Sequence, residues 1–304
     1  DMKANYMQLT YGDWEVTKFH GIDAQNNIYF SSNQFGSIYN TMSQINIKYH
    51  DFKMWTEKNY CKTGNCGNYN NIIHYYNKLE PPEGRLYLSE KLTPPFEPFG
   101  ISMNKTTGSN NVTFSKGMKY FMNSYSDHNT PPIYTLNRTS DREVIKVLED
   151  NSDFNKTLSE YNLSEKEFFT IKTEFPSLSI PGDSVEFNAW IMKPTDFDSK
   201  KEYPLYMFLY GGPGSQAVTD SWGWFNYFWH QHLNQLGYIV ACVDNRGTGG
   251  KGAEFKKMTY QELGKYEIID QINAAKYFGS LDYIDSKRIG IQGWSYGGYM
   301  SSLA

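Results

Sequence analysis

The stretch Arg288-Ile289-Gly290-Ile291-Gln292-Gly293-Trp294-Ser295-Tyr296-Gly297-Gly298-Tyr299-Met300 runs from a short strand pattern through a glycine-bounded turn into a helix start. Its centre, Gly293 to Gly297, fits the G-x-S-x-G pattern of a nucleophile elbow. So tight a turn needs small residues two before and two after the serine, because side chains there would strike the neighbouring strand and helix; Gly293 and Gly297 meet that need. A serine hydroxyl is a poor nucleophile until a base takes its proton, and the tetrahedral intermediate needs donors aimed at its oxyanion. The backbone N–H of Tyr296, next after Ser295, is one such donor by the geometry of an elbow, and a second is expected from the loop after the strand ending at Tyr210.

Upstream of the elbow, strand and helix patterns alternate. Phe187 to Met192 and Leu205 to Tyr210 read as strands, the second closed by Gly211-Gly212-Pro213-Gly214. A helix over Phe225 to Leu236 follows, then a buried-strand run Tyr238 to Val243 closed by Asp244-Asn245-Arg246-Gly247-Thr248-Gly249-Gly250. Ile268, Ile269, Ile272 and Ala275 make one apolar face of a helix over Tyr266 to Phe278. Such alternation implies α/β architecture, a mainly parallel sheet with helices on both faces.

Further upstream the turn chemistry changes. Of 26 Asn, 21 lie at or before Asn162, whereas 16 of 25 Gly lie after it, which divides the chain into domains 1–161 and 162–304. The first region is all-β, with short Tyr-, Phe-, Ile- and Val-rich strands between Asn, Gly, Ser and Pro clusters. Trp14 to Tyr49 holds four strand-like pieces, at Glu15 to Phe19, Ile28 to Ser32, Ser37 to Asn40 and Gln44 to Tyr49. Val112 to Glu149 repeats the layout, Tyr120-Phe121 answering Tyr29-Phe30 and Ile133-Tyr134 answering Ile38-Tyr39. The separation suits four-stranded propeller blades with a degenerate blade between them, and an irregular sandwich is the alternative. Residues 56 to 110 read as a blade with a long insertion.

The net charge is −4, from 29 basic and 33 acidic residues with no basic block, which leaves no electrostatic footprint for nucleic acid or an anionic membrane. The longest apolar runs fall far short of the 18 or so residues of a membrane helix.

Leu209-Tyr210-Gly211-Gly212-Pro213-Gly214-Ser215-Gln216, Asp244-Asn245-Arg246-Gly247-Thr248-Gly249, Asp270-Gln271 and Gly293-Trp294-Ser295-Tyr296-Gly297-Gly298-Tyr299 occur in this order. Together they resemble the catalytic domain of the prolyl oligopeptidase family, most of all its dipeptidyl peptidase IV branch. The resemblance extends back through Val147 to Asn151 and Gly12 to Val16, while residues 50 to 110 match poorly. It implies an all-β propeller segment capping an α/β-hydrolase domain, peptides entering between them, and no cofactor or metal. It also implies that Ser295 is the nucleophile and that the Tyr210 phenol is the second oxyanion donor. Tyr296 would offer its N–H and a ring edge to the pocket for the residue before the scissile bond. The implied substrate is a peptide with a free amino terminus and Pro or Ala second.

Trp294 is a candidate on the substrate side of the elbow, packing around the turn being its plainer role. Arg246 reads as a loop-ordering residue that ties down carbonyls. The family's acidic pair for the substrate amino terminus sits in an earlier propeller segment, so Glu15 reads as a strand residue only. Cys61 and Cys66 are close enough to bridge around Gly64-Asn65; with disulfides frequent in the family's late blades, a bond is expected, two free thiols being the alternative. Cys242 reads as a buried, inert thiol.

Hydrolases of this fold order the triad as Ser, Asp, His, and all six His precede Ser295. The chain is therefore expected to be a piece of a longer protein, cut just after the nucleophile and inactive alone. His230 and His232, on a helix expected to flank the sheet, read as surface or satisfied residues. The resemblance further implies an extracytoplasmic, bacterial protein and a homodimer. The competing readings are an endopeptidase or acylaminoacyl peptidase of the same fold, and a non-catalytic propeller binding module.

Overall fold

A computed structural model describes residues 14–46, 101–102, 107–176 and 184–304 of the chain. Two four-stranded antiparallel sheets come first: β1 (Val16–Ile22), β2 (Asn27–Ser32), β3 (Thr41–Asn46) and β4 (Ile101–Ser102), then β5 (Ser109–Phe114), β6 (Tyr120–Ser126), β7 (Ile133–Arg138) and β8 (Val144–Glu149). Period-2 alternation turns Phe121, Asn123 and Tyr125 of β6 inward. Tyr29, Met42, Val112 and Phe121 then form one core shared by the two sheets. Asn40 and Asn110 exchange side-chain bonds to each other's carbonyl, at 2.7 and 3.1 Å, and sew the sheets together.

This arrangement corrects the sequence reading in one place. Tyr29-Phe30 and Tyr120-Phe121 do fall on equivalent second strands. Ile38-Tyr39, however, lies in a turn before β3, because the backbone around it is engaged elsewhere: the Ser37 carbonyl accepts from Gln216 and the Ile38 carbonyl from the Asp220 N–H. Among the described residues the two sheets are direct neighbours, Asn40 bridging to Ser109, and the blade expected over residues 56–110 lies almost wholly outside the described residues. β4 pairs with β3, and residues 47–100, with Cys61, Cys66 and the bond expected between them, lie outside the described residues.

After a short helix α1 (Ser152–Leu158), a five-stranded sheet runs in the order β13-β11-β12-β10-β9, with β9 (Lys166–Pro176), β10 (Ser184–Met192), β11 (Tyr203–Leu209), β12 (Ile239–Val243) and β13 (Ile284–Gly293). The sheet expected to be mainly parallel is parallel through β13, β11 and β12 and antiparallel through β10 and β9. Only residues 177–183 join β9 to β10, too few for the dozen or more of a parallel crossover. Helices cover both faces, as the alternation implies. Phe187, Ala189, Leu205, Met207, Ile239 and Ala241 pack with Ala274 and Phe278 of α4 (Lys265–Gly279) and Phe255 of α3 (Gly252–Lys257). Trp190, Met192, Val240 and Cys242, offset by one residue, pack with Leu233 of α2 (Trp224–Gln235) on the other face.

Glu15 is more than a strand residue. Its Oε1 accepts the Gly250 N–H at 3.1 Å and its Oε2 the Lys256 ammonium at 2.6 Å, while Asn33 donates to the Gly250 carbonyl. The first sheet thereby grips the turn that follows β12. Glu15→Ala should lower stability by about 1–2 kcal/mol, the worth of one charge-assisted bond to a backbone donor plus a half-exposed ion pair. Glu15→Gln, which keeps the Gly250 bond, should lose less. Thermal unfolding of both variants checks this, and an unchanged midpoint for Glu15→Ala contradicts it.

Candidate active site

The parallel pairing of β11 with β13 sets Leu209 opposite Gly293, so Tyr210, the next residue, emerges beside the turn that follows β13. That turn leads directly into α5 (Tyr296–Leu303). A Cβ on Gly293 would sit 2.5 Å from the Leu209 carbonyl oxygen and from Gly297, and a Cβ on Gly297 would collide with the same Leu209 oxygen. The steric requirement inferred for the elbow is thus met by backbone, which cannot move aside as a flexible side chain could. Between the two glycines Ser295 adopts φ 55° and ψ −115°, a conformation costly to an L-residue, and stays exposed.

Tyr296 is the first residue of α5, so its N–H is among the first-turn donors that lack an intrahelical acceptor. The Tyr210 ring lies over Gly212, where a Cβ would come within 2.7 Å of it, and its centroid is 6.3 Å from that of Tyr296. Tyr210 is 38% exposed, and its phenol has no hydrogen-bond partner among the described residues. Ser295, Tyr210 and Tyr296 are therefore brought together. The Tyr296 phenol is committed elsewhere: it donates to Glu267 Oε1 at 2.7 Å, and burial followed by that bond raises its pKa. Trp294 is 82% exposed and packs around nothing in the elbow.

The loops around this centre are held by buried polar groups. Asn245 donates to the Gly211 carbonyl at 3.0 Å, in a space that a Cβ on Gly211 would fill, and accepts from Gln271. Arg246 orders its loop as expected, but through a carboxylate: its Nε and Nη2 both reach Asp270, at 3.0 and 2.6 Å, and the guanidinium stacks 4.7 Å from the Tyr266 ring. Asp244 accepts the N–H groups of Ala217 and Val218, each at 2.9 Å, and burial pushes its pKa from 3.8 to about 6. Asp244, Asn245, Asp270 and Gln271 stood in the quoted motifs without assigned roles. Glu267 was missed, although Gly264-x-x-Glu267 at a helix start has the spacing of a capping box.

No described His meets Ser295. His20 bonds Ser31, His128 pairs with Asp220, and His232 is exposed. His230 is a correction: it is buried between Trp190 and Phe208 with its Nε2 unpartnered, and burial lowers its pKa to about 4. Cys242 is fully buried, and burial raises its thiol well above the ordinary value, in keeping with an inert role. Among the described residues no group of His, Cys, Asp and Glu is arranged to hold a metal, and no helix is long and apolar enough to cross a membrane.

An exposed serine on a strand-to-helix elbow, at the carboxyl end of a strand in a sheet covered on both faces, defines the nucleophile side of an α/β-hydrolase. Residues 224–304 match the prolyl oligopeptidase family, and the part of the chain that carries the elbow belongs to that family. A probable dipeptidyl-aminopeptidase B of Arthroderma benhamiae is 34% identical over 76% of this chain and 24% of its own length. Prolyl endopeptidase FAP of Bos taurus is 37% identical over 57% of this chain and 21% of its own length. The chain thus spans about a quarter of the length of the curated relatives it matches. Dipeptidyl peptidase 4 of Porphyromonas gingivalis, a solved structure, superposes with a TM-score of 0.75 at 32% identity, covering 98% of this chain and 34% of the other.

Two outcomes test this local structure. Gly297→Ala should cost about 2–3 kcal/mol by overpacking and displace Ser295, read as a lower melting temperature together with lost fluorophosphonate labelling. For Asp244, the folded state holds a proton that the unfolded state has already released between pH 3.8 and about 6. Its contribution therefore lowers stability as pH rises through that window, by about 2–3 kcal/mol in all. Asp244→Asn should flatten that slope in pH-dependent denaturation, and an unchanged slope contradicts the assignment.

Proposed function

We propose that the full-length protein carrying this chain is a serine peptidase that releases dipeptides from the amino terminus of peptides with Pro or Ala second. The observation that carries the reading is the exposed Ser295 on its elbow beside a Tyr210 phenol that has no hydrogen-bond partner among the described residues. Ser295 Oγ attacks the carbonyl carbon of the second residue, and the oxyanion that forms accepts from the Tyr296 N–H and the Tyr210 O–H. The triad base of the longer protein takes the Oγ proton and passes it to the leaving nitrogen, so that collapse of the intermediate expels the remaining peptide as an amine and leaves a dipeptidyl ester on Ser295, which water then hydrolyses. The triad's acid and base are assigned to the longer protein, following the nucleophile in the chain order of this fold; the 304 residues alone are inactive.

The reading keeps residues 1–161 as the propeller side and 162–304 as the peptidase side. Substrate enters between them, and a homodimer outside the cytoplasm completes the proposal, on the family resemblance. A second reading, cleavage within a chain after proline, is favoured by the similarity to the Bos taurus endopeptidase. An amino-terminally blocked peptide separates the two, since only an endopeptidase cuts it.

In the full-length protein, Ser295→Ala should abolish both hydrolysis of an Ala-Pro amide and labelling by a fluorophosphonate. Tyr210→Phe should reduce kcat by about 10² to 10³, the usual worth of an oxyanion donor. A Phe variant with wild-type turnover removes Tyr210 from the site.

A further inference from the structure

We propose that Glu267 is a positioning residue for the elbow: its carboxylate holds the Tyr296 phenol, and through it the N–H beside Ser295, in place. The inference rests on the reading of Ser295 as the nucleophile.

Glu267 is the third residue of α4 and is completely buried. Its two oxygens face different partners: Oε2 accepts the Gly264 N–H at 3.0 Å, and Oε1 accepts the Tyr296 O–H at 2.7 Å. Among the described residues it has no ion-pair partner. A buried carboxylate is tolerable only with strong donors around it, which here are these two hydrogen bonds and the positive end of the α4 dipole. Capping α4 needs only one of the oxygens, whereas the other reaches 29 residues along the chain to the residue that follows the nucleophile.

The rest of the contact supports this assignment. The Tyr296 ring stands edge-on to Tyr299, with centroids 5.7 Å apart, and Tyr299 places its hydroxyl against Gly264, where a Cβ would lie 2.6 Å from it. Two tyrosines of α5 thus seat on the start of α4. Ser295 holds a backbone conformation that its surroundings must maintain. On one side the glycine contacts with Leu209 do so, and on the other Glu267 is, among the described residues, the charged group that grips the neighbouring residue.

The test uses the full-length protein. It measures the second-order rate of Ser295 labelling by a fluorophosphonate, kcat and KM for an Ala-Pro amide, and the melting temperature. The variants are Tyr296→Phe, Glu267→Ala, Glu267→Gln, the double Tyr296→Phe/Glu267→Ala, and Phe278→Leu as a destabilised core control. Tyr296→Phe, which leaves the helix cap intact, should slow labelling about 10-fold, the loss of one bond to a charged group, with kcat affected more than KM. Glu267→Ala should slow it at least as much, and the double variant no further than the worse single. Glu267→Gln should recover most of the rate, because a carboxamide can accept from Gly264 and donate to the phenol oxygen. Phe278→Leu should melt lower yet label normally. Labelling that follows melting temperature across all variants, or a Tyr296→Phe protein with wild-type rate, overturns the proposal while leaving Ser295 as nucleophile. A wild type that neither labels nor hydrolyses overturns the nucleophile reading and this inference with it.

Discussion

One steric contact organises the site: the Leu209 carbonyl at the end of β11 occupies the volume that a Cβ on Gly293 or Gly297 would need. Two parallel neighbours, β11 and β13, end at the same level, and the chain leaving β13 must fold back over the end of β11 with no side chain between. Ser295 is thereby forced to a positive φ at the top of the turn, and Tyr210 emerges next to it. The two groups that the chemistry needs come from adjacent strand ends, so their separation is set by sheet geometry rather than by a loop.

The loops at this end of the sheet are kept rigid from both sides. From within, the Arg246–Asp270 pair, Asn245 and Gln271 tie the segment after β12 to α4 and to Gly211. From the first sheet, Glu15 and Asn33 grip Gly250, and the Ser37 carbonyl receives Gln216. Lys256, which pairs with Glu15, also packs against Gly214. The β-region therefore acts as a buttress for the loops at the carboxyl ends of the parallel strands, where open α/β sheets bind their ligands.

The elbow and the strands near it were legible because their signals are local: a continuous apolar run closed by a glycine-rich loop marks β11 and β12 to within two residues. β9 escaped notice because it is an edge strand, whose Lys166, Glu167, Lys172 and Glu174 break the apolar run, as edge strands commonly do. The third strand of the first sheet was misplaced because residues 37–40 look strand-like, but the Ser37 and Ile38 carbonyls accept bonds from Gln216 and Asp220 of the α/β half. Glu15 and Glu267 were opaque for the same reason at longer range. The Gly250 partner of Glu15 and the Tyr296 partner of Glu267 lie 235 and 29 residues away, and no local pattern announces either bond; only the cap bond of Glu267 to Gly264 has a local signature.

The most direct test of the account is a crystal structure of the full-length protein after reaction with a fluorophosphonate. The account predicts phosphorus bonded to Ser295 Oγ, with its free oxygen about 2.7–3.1 Å from both the Tyr296 backbone nitrogen and the Tyr210 phenol oxygen. Phosphorus on another residue, or an oxygen held by groups other than these two, would contradict it.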